Sequence, residues 1–336
     1  MTITNSVARA VFASFMAEAK GGLKSGTLVE RMYPQDRAAQ HIVTRAAVGP
    51  LGLDQAESLM QEAVAAFMGS LAPLSASARL MQRGLPISIS GYSSVSVPYR
   101  TGRAALQWVA DGDPIPVHSR MLDAAKIGPL KKIAGITVYS RELADAASGP
   151  AIFERMLRED AADSLDAAVF GVDAESDDEP AGILNGITPI AAATGGGLAA
   201  MEADLIALAG AITAAGAQSV VFVTSPALAA TVMVRKPELA AMVWPAVGLP
   251  AGRVIAIDPA AFVFASGGVE VEASKNALLH MDDAPTQISI PGTPNVVAAP
   301  TRSMFQMDLI ATRLIFDVSF AMRAAGLVAV INGASW

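Results

Sequence analysis

Residues 150–171 read PAIFERMLREDAADSLDAAVFG. Phe153, Met156, Leu157, Ala161, Leu165, Ala168 and Val169 recur close to the 3.6-residue period, which predicts one long amphipathic helix. The opposite face takes Glu154, Arg155, Arg158, Glu159, Asp163 and Asp166, and Glu154 with Arg158 forms an i,i+4 pair in the favourable order. Ser148 and Pro150 supply a start signal, and Gly171 a stop. At 1.5 Å per residue such a helix is roughly 30 Å long, the span of a small domain. The rest of the chain is expected to arrange itself around this spine.

Upstream, residues 1 to about 70 look helical. Val7, Phe12, Phe15 and Met16 sit at helical spacing behind Asn5 or Ser6, Gly21-Gly22 interrupts, and Leu53–Met68 resumes the pattern up to Gly69. From Leu71 to Arg100 the texture changes: Pro73, Pro86 and Pro98 punctuate it, and Tyr92, Val95, Val97 and Tyr99 alternate among serines, as in a strand. Thr101–Leu130 carries Gly102, Gly112, Pro114, Pro116, Gly128 and Pro129, but also Leu106, Trp108 and Met121. Loops that long are uncommon in a compact domain unless they do something. Lys131–Ala146 reads as a strand through Tyr139 turning into a short helix. Two strands flanking a long excursion predict a hairpin arm.

Downstream, Asp173–Glu179 (DAESDDE) is an acidic run whose simplest reading is a solvated loop. Thr194–Gly197 (TGGG) is a flexible link. Met201 to about Phe264 alternates helix (Glu202–Ala215), strand (Val220–Thr224), helix (Pro226–Val234) and strand (Arg253–Ile257), a small α/β unit of its own. Val269–Val271 and Asn276–Met281 look like short strands. Ser303–Phe320, whose first piece reads as helix or strand, and Leu327–Ile331 are expected to share a terminal sheet.

The chain is 52% apolar and only 16% charged, so apolar surface must find cover beyond an ordinary core, in a bilayer or against other subunits. The uncharged stretch Leu205–Val234 contains Gly210, Gly216, Gln218, Ser219, Thr224, Ser225 and Pro226. It therefore divides into a helix (Leu205–Ala215), a strand and a second helix, and no membrane span is expected. Arg9 and Glu18 interrupt Met1–Lys20, which argues against a signal peptide. With no cysteine, disulfides and thiolate chemistry are excluded. A net charge of −7 speaks against general nucleic-acid binding. His41, His118 and His280 stand far apart, without metal-ligand spacing, and read as solvated or core residues.

No catalytic constellation emerges. TGGG is not a phosphate loop, because the GxxxxGK[ST] pattern is missing and no Lys or Arg lies between Arg158 and Arg235. Ser225 precedes Pro226 and reads as a helix N-cap rather than a nucleophile. Asp111 and Asp113 flank Gly112 beside prolines, as turn residues do. Catalytic, cofactor and metal residues are accordingly expected to be none. An α+β chain with a protruding arm, excess apolar surface and no chemistry points to a self-assembling structural subunit.

The same order of features resembles the major capsid proteins of tailed phages, with the Hong Kong 97-type fold. The resemblance is carried by Trp108-Val-Ala-Asp111-Gly112-Asp-Pro-Ile115-Pro116 and by Pro129-Leu-Lys-Lys132-Ile-Ala134 leading to Val138-Tyr-Ser140-Arg-Glu142-Leu143. The end of the spine helix, Asp166-Ala-Ala-Val-Phe170-Gly171, and then Pro180-Ala-Gly182-Ile183-Leu184-Asn185-Gly186 continue it, over roughly residues 71 to 334. It implies an N-terminal helical arm or scaffolding-like region (1–70), the start of a peripheral domain (71–97) and an extended loop (98–130). It further implies a peripheral domain with the spine helix (131–190), an axial domain (191–265) and a return to the peripheral domain with its terminal sheet (266–336).

In that family the extended loop lies over a neighbouring subunit, and axial domains meet around five- and six-fold centres in heterologous, ring-closing contacts. The resemblance therefore implies an icosahedral head of pentamers and hexamers enclosing double-stranded DNA, in a virion assembled in the host cytoplasm. Partners are other copies of the chain, with portal, scaffold or protease and decoration proteins, and no membrane. Intersubunit contacts are expected at Trp108, Asp111, Asp113, Ile115, Arg120, Lys126, Glu154, Arg158 and Trp244. Some relatives weld subunits through a Lys–Asn isopeptide bond. Lys126, Lys131 or Lys132 could stand for the lysine, but Ser303–Leu309 offers no Asn, so no cross-linking is expected. The arm at 1–70 is expected to be retained rather than cleaved. An encapsulin-like compartment or gene-transfer-agent shell shares the fold, and an α+β enzyme of unknown activity is the rival from another class.

Overall fold

The spine forms as one helix, Gly149–Val169, flanked by the other elements in the expected order. The computed structural model describes residues 6–20, 24–44, 68–89, 93–100, 108–109, 111, 122–142, 149–286, 288–290, 296–324 and 326–336. The expected helix over 53–68 (Met68 excepted), Asp113, Ile115, His118 and Arg120 lie outside these residues, as do the side chains of Phe153, Glu154 and Leu157. The helices are α1 (Ser6–Lys20), α2 (Ser25–Met32), α3 (Arg37–Thr44), α4 (Ala76–Arg83), α5 (the spine), α6 (Gly197–Ala214) and α7 (Pro226–Arg235). The strands are β1 (Leu85–Pro86), β2 (Val95–Arg100), β3 (Leu122–Ile127), β4 (Lys131–Ser140), β5 (Ile190–Ala191), β6 (Val221–Thr224), β7 (Val243–Pro245) and β8 (Val254–Ile257). They continue with β9 (Phe262–Ser274), β10 (Leu278–His280), β11 (Ser289–Ile290), β12 (Val296–Val297), β13 (Thr301–Ser303), β14 (Leu309–Met322) and β15 (Val328–Asn332).

Two compact units result, and the divisions between them fall inside α5, β9 and β14. The first comprises Met1–Leu71, Lys132–Ala161 and Gly267–Asp317. In it α1 is buried continuously from Ala10 to Ala17, more than an amphipathic stripe requires. Phe12 and Phe15 lie 6.5 Å apart, and Phe15 meets the Tyr139 ring of β4 edge-on at 5.8 Å. Helix α1 therefore packs on β4 within this unit. Asp36 ties the helices together, accepting from Arg9 Nη1 (2.6 Å), Ser6 Oγ (2.9 Å) and the Ala39 N–H at the start of α3 (2.9 Å). Burial pushes its carboxyl upward, but these donors together outweigh burial and hold it below the usual range.

The second unit comprises Ala72–Lys131, Ala162–Ser266 and Val318–Trp336. Its five-stranded sheet runs β5-β15-β8-β6-β7, with β6 antiparallel to β8 and parallel to β7. Strands β6 and β8 are buried at every position, as expected of central strands covered on both faces. Met201, Leu208 and Ile212 of α6 and Val232 of α7 pack on Phe222, Val254 and Ile331. By length and composition α6 would also suffice to cross a bilayer, yet its inner face belongs to this core. Asp204, 1% exposed, accepts from the Trp336 indole N–H (2.8 Å) and the Ala193 N–H (2.7 Å), so the last residue returns to this unit.

Several expectations need correction. The two C-terminal strands do not share a sheet: β14 lies in the sheet β1-β9-β14-β4, whereas β15 pairs with β8 of the α/β unit. Alternation identifies a strand but not its neighbour. Helix α6 begins at Gly197, five residues before Glu202, because the triple glycine bends directly into it. Ser225 holds the N-cap position of α7, but its hydroxyl makes no cap bond. Met156, placed on the buried stripe of the spine, is 40% exposed, and Asp166, placed on the polar face, is 3% exposed. The sum of positions explains the second error: Asp166 follows Ala162 by four and precedes Val169 by three, and both neighbours are buried.

Candidate assembly surfaces

The hairpin arm leaves the second unit from an apolar root. Strands β2 and β3 pair antiparallel from Val95 opposite Ile127 to Arg100 opposite Leu122. Val97 and Ile127 face inward and pack with Ile89, Val263 and Ala265. At the exit Gly128 has φ +95°, and its N–H donates to Ser319 Oγ at 3.1 Å. A Cβ there would come within 2.7 Å of the Ser93 carbonyl, so the turn requires glycine on two counts.

Between the strands Trp108 is 103% exposed and Val109 38%. A tryptophan this exposed is apolar area available to another surface. Asp111 and Lys126 are exposed as well, and Arg158 on the spine is half-buried. Trp108, Asp111 and Lys126, expected as contact residues, are each exposed. It removes Trp244 from the contact set. That ring is 3% exposed, with the Arg83 guanidinium 5.0 Å above it, so it packs within its own unit instead of facing a neighbour. Sequence reasoning missed the outer face of α6, where Ile206 is 71% and Leu198 45% exposed among alanines.

At the foot of the arm a cleft of about 230 Å³ is lined by Lys126, Gly128, Lys131, Glu175, Asn185 and Ser319, among others. Lys131 Nζ donates to the carbonyls of Ser176 (2.8 Å) and Asp177 (2.9 Å), gathering the acidic loop that the spine leads into. The five carboxylates of that loop are exposed, as a solvated loop predicts. The PAGILNG segment closes behind it: Ile183 N–H donates to the Val169 carbonyl (2.9 Å) and Asn185 Nδ2 to that of Val172 (2.8 Å). A Cβ on Gly182 would lie 2.2 Å from the Gly171 carbonyl oxygen, so the close approach of the two backbones requires glycine at 182.

A buried carboxylate organises the other end of this region. Asp166 accepts from Ser75 Oγ (2.6 Å), Ser77 Oγ, Ser77 N–H (2.9 Å) and Ala76 N–H (3.2 Å). It satisfies the first amides of α4, which have no partner within the helix, while Ser75 Oγ caps the Ala78 N–H at 3.0 Å. Burial raises the carboxyl above its usual range, and the four donors moderate but do not cancel that rise. Among the described residues no group of three or more His, Asp or Glu could hold a metal ion.

Comparison with known proteins converges on one family. The family model described as "Phage capsid family" matches residues 69–265, from ahead of α4 to the first residues of β9. A capsid polyprotein of Pseudomonas phage PAJU2 is 28% identical over 349 aligned positions, covering 89% of this chain and 49% of the relative. The chain thus spans about half the length of that curated relative. Among solved structures, a chain of Gordonia phage Cozz superposes with a TM-score of 0.51 at 13% identity, over 88% of this chain and 99% of its own. One of Microbacterium phage Oxtober96 gives 0.51 at 18% identity, over 77% and 90% respectively. These likenesses establish the fold, which is the Hong Kong 97 type. Because the family model accounts for more than half of the 336 residues, the chain belongs to the phage capsid family.

Proposed function

We propose that the chain is the major capsid protein of a tailed phage, a structural protein and not an enzyme, whose copies close into an icosahedral head around double-stranded DNA. The observation that carries this reading is the family match itself, which covers the arm, the spine and most of the α/β unit together. The units then take the roles of the family's parts: the five-stranded unit is the axial domain of pentamers and hexamers, and the β2–β3 hairpin is the loop laid over a neighbour. Trp108, Asp111 and Lys126 are contact residues of that loop with Asp113, Ile115 and Arg120, and Glu154 and Arg158 serve the spine. The net charge of −7 suits a wall that must not hold its DNA, since like charges give little non-specific affinity. Assembly in the host cytoplasm, with portal, scaffold or protease and decoration proteins, completes the reading.

Electron microscopy of the purified full chain, with its mass by light scattering, tests this. Closed shells or rings of five and six are expected. A chain that stays monomeric under all assembly conditions overturns it.

A further inference from the structure

Two asparagines of the chain precede glycine, Asn185-Gly186 and Asn332-Gly333, and the fold treats them in opposite ways. In this pairing the glycine nitrogen readily attacks the side-chain amide before it, because no Cβ hinders the approach. All four residues are exposed, and both glycines hold positive φ, +71° at Gly186 and +77° at Gly333. Among the described residues neither glycine N–H is hydrogen-bonded. The asparagine side chains make the difference.

At Asn332 the Arg253 guanidinium donates from Nε at 2.9 Å. Such an N–H only donates, so the atom it meets is Oδ1, and Nδ2 has no partner among the described residues. Strand pairing fixes this contact: Ile331 lies opposite Val254, which sets Asn332 across from Arg253. Strand β15 ends at Asn332, and a Cβ on Gly333 would meet nothing within 4 Å, so the peptide between them has room to turn. The next tie, Ala334 N–H to the Gly252 carbonyl (2.9 Å), lies beyond that peptide.

At Asn185 the roles are reversed. The Val172 carbonyl, which only accepts, holds Nδ2 at 2.8 Å, and Oδ1 has no donor among the described residues. The turn is closed on both sides, by Asn185 N–H to the Gly182 carbonyl (3.0 Å) and Ile187 N–H to that of Leu184 (3.1 Å). The nitrogen that would have to leave is the one that is held.

We propose that Asn332 is a self-modifying site, activated by Arg253 for loss of ammonia, while Asn185 is protected. Solvent base takes the Gly333 N–H proton, and that nitrogen bonds to Asn332 Cγ. The carbonyl electron pair moves onto Oδ1, where the guanidinium stabilises the new charge as an oxyanion donor does. As the carbonyl re-forms, the Cγ–Nδ2 bond breaks, and Nδ2 takes a proton from water and leaves as ammonia. Water then opens the five-membered imide at either carbonyl, giving aspartate or isoaspartate. The aspartate product faces Arg253, so the contact between β15 and the start of β8 becomes an ion pair. This inference does not depend on the capsid reading.

Peptide mapping by mass spectrometry of the full folded chain, held warm at neutral pH, follows both sites over time. Conversion at Asn332 outruns that at Asn185 by about tenfold or more, the worth of one charge-assisted hydrogen bond to the developing charge. Arg253→Met removes the donor but keeps the main-chain tie from Thr224 Oγ1 to the Arg253 carbonyl (2.8 Å). In that variant the rate at Asn332 falls about tenfold and the rate at Asn185 is unchanged. Unfolded in urea, the wild-type pairs convert alike, and Asn332 more slowly than in the folded chain. Asn185 converting as fast as Asn332 in the folded chain overturns the site, as does a rate at Asn332 that is unchanged or faster in Arg253→Met. So does a preference for Asn332 that persists in urea, or an Asn332 that converts faster there than when folded. The urea measurements need no variant and decide the matter should Arg253→Met not fold.

Discussion

Replacing Asp166 by alanine removes the acceptor for four donors at once, and the structure says which of them recover. Ser75 Oγ and Ser77 Oγ lie 2.8 Å apart and keep each other, and Ser75 Oγ keeps the Ala78 N–H. The N–H groups of Ala76 and Ser77 keep nothing, and with both residues fully buried water cannot replace the carboxylate. Each orphaned buried amide costs about 1–3 kcal/mol, and the small cavity adds to it, while relief from burying a carboxylate offsets part. The net expectation for Asp166→Ala is a loss of about 3–5 kcal/mol, a large share of a domain's typical margin of roughly 5–15 kcal/mol. Asp166→Asn keeps one acceptor oxygen but turns an amide donor toward an amide donor, so it should lose about 1–2 kcal/mol. Urea unfolding reads both. Trp244 serves as the local reporter, because Arg83 on the last turn of α4 sits over its ring. The pH profile supplies a second signature. With the folded carboxyl raised, the native state binds more protons than the unfolded one above about pH 4, so stability falls as pH rises until the folded carboxyl has ionised. Asp166→Asn should flatten that slope. An Asp166→Ala chain within about 1 kcal/mol of wild type, or an asparagine variant worse than the alanine one, would refute the reasoning.

Asp36 should behave with the opposite sign. Its folded carboxyl is depressed, so the advantage of wild type over Asp36→Asn is full at neutral pH and disappears as pH falls through the folded value; about 1–2 kcal/mol is expected from acid titration of unfolding. Trp108→Ala should leave single-chain stability within about 0.5 kcal/mol, because the ring is fully exposed. Each intersubunit contact should weaken by on the order of 2 kcal/mol, about thirtyfold, which light scattering would register as a higher concentration threshold for assembly. Gly128→Ala should cost about 2–4 kcal/mol in thermal unfolding, from positive φ and the clash with the Ser93 carbonyl together; a neutral result would mean that the arm's root shifts freely.

Much of the candidate surface was legible in the chain because it is local. Trp108 stood out as a large apolar ring in a turn-rich excursion, and Gly182 and Asn185 lay in a short motif whose turn closes within a few residues of the spine's end. The outer face of α6 was hidden for the reverse reason. Its alanines look the same whether they face a sheet or nothing, and only the sheet's position separates buried Leu208 from exposed Ile206. Trp244 misled because an aromatic residue near a proline reads alike as surface anchor and as core until Arg83 is seen above it.

The arm's strand β2 pairs with β3, inside the stretch expected as an excursion, while β4, expected to flank it, joins β14; by itself the sequence determined the spine helix, the helix–strand–helix–strand order of the α/β unit and the absence of cysteine chemistry. These rest on periodicity and composition, and both are properties of short windows of chain. Tertiary structure alone decided that Asp166 is a buried cap and that β15, rather than β14, joins the five-stranded sheet. The partners of Asp166 are 91 and 89 residues away, and β8 precedes β15 by some seventy. Charge and burial at such positions depend on groups that meet only when distant segments pack, and no local pattern encodes which segments those are.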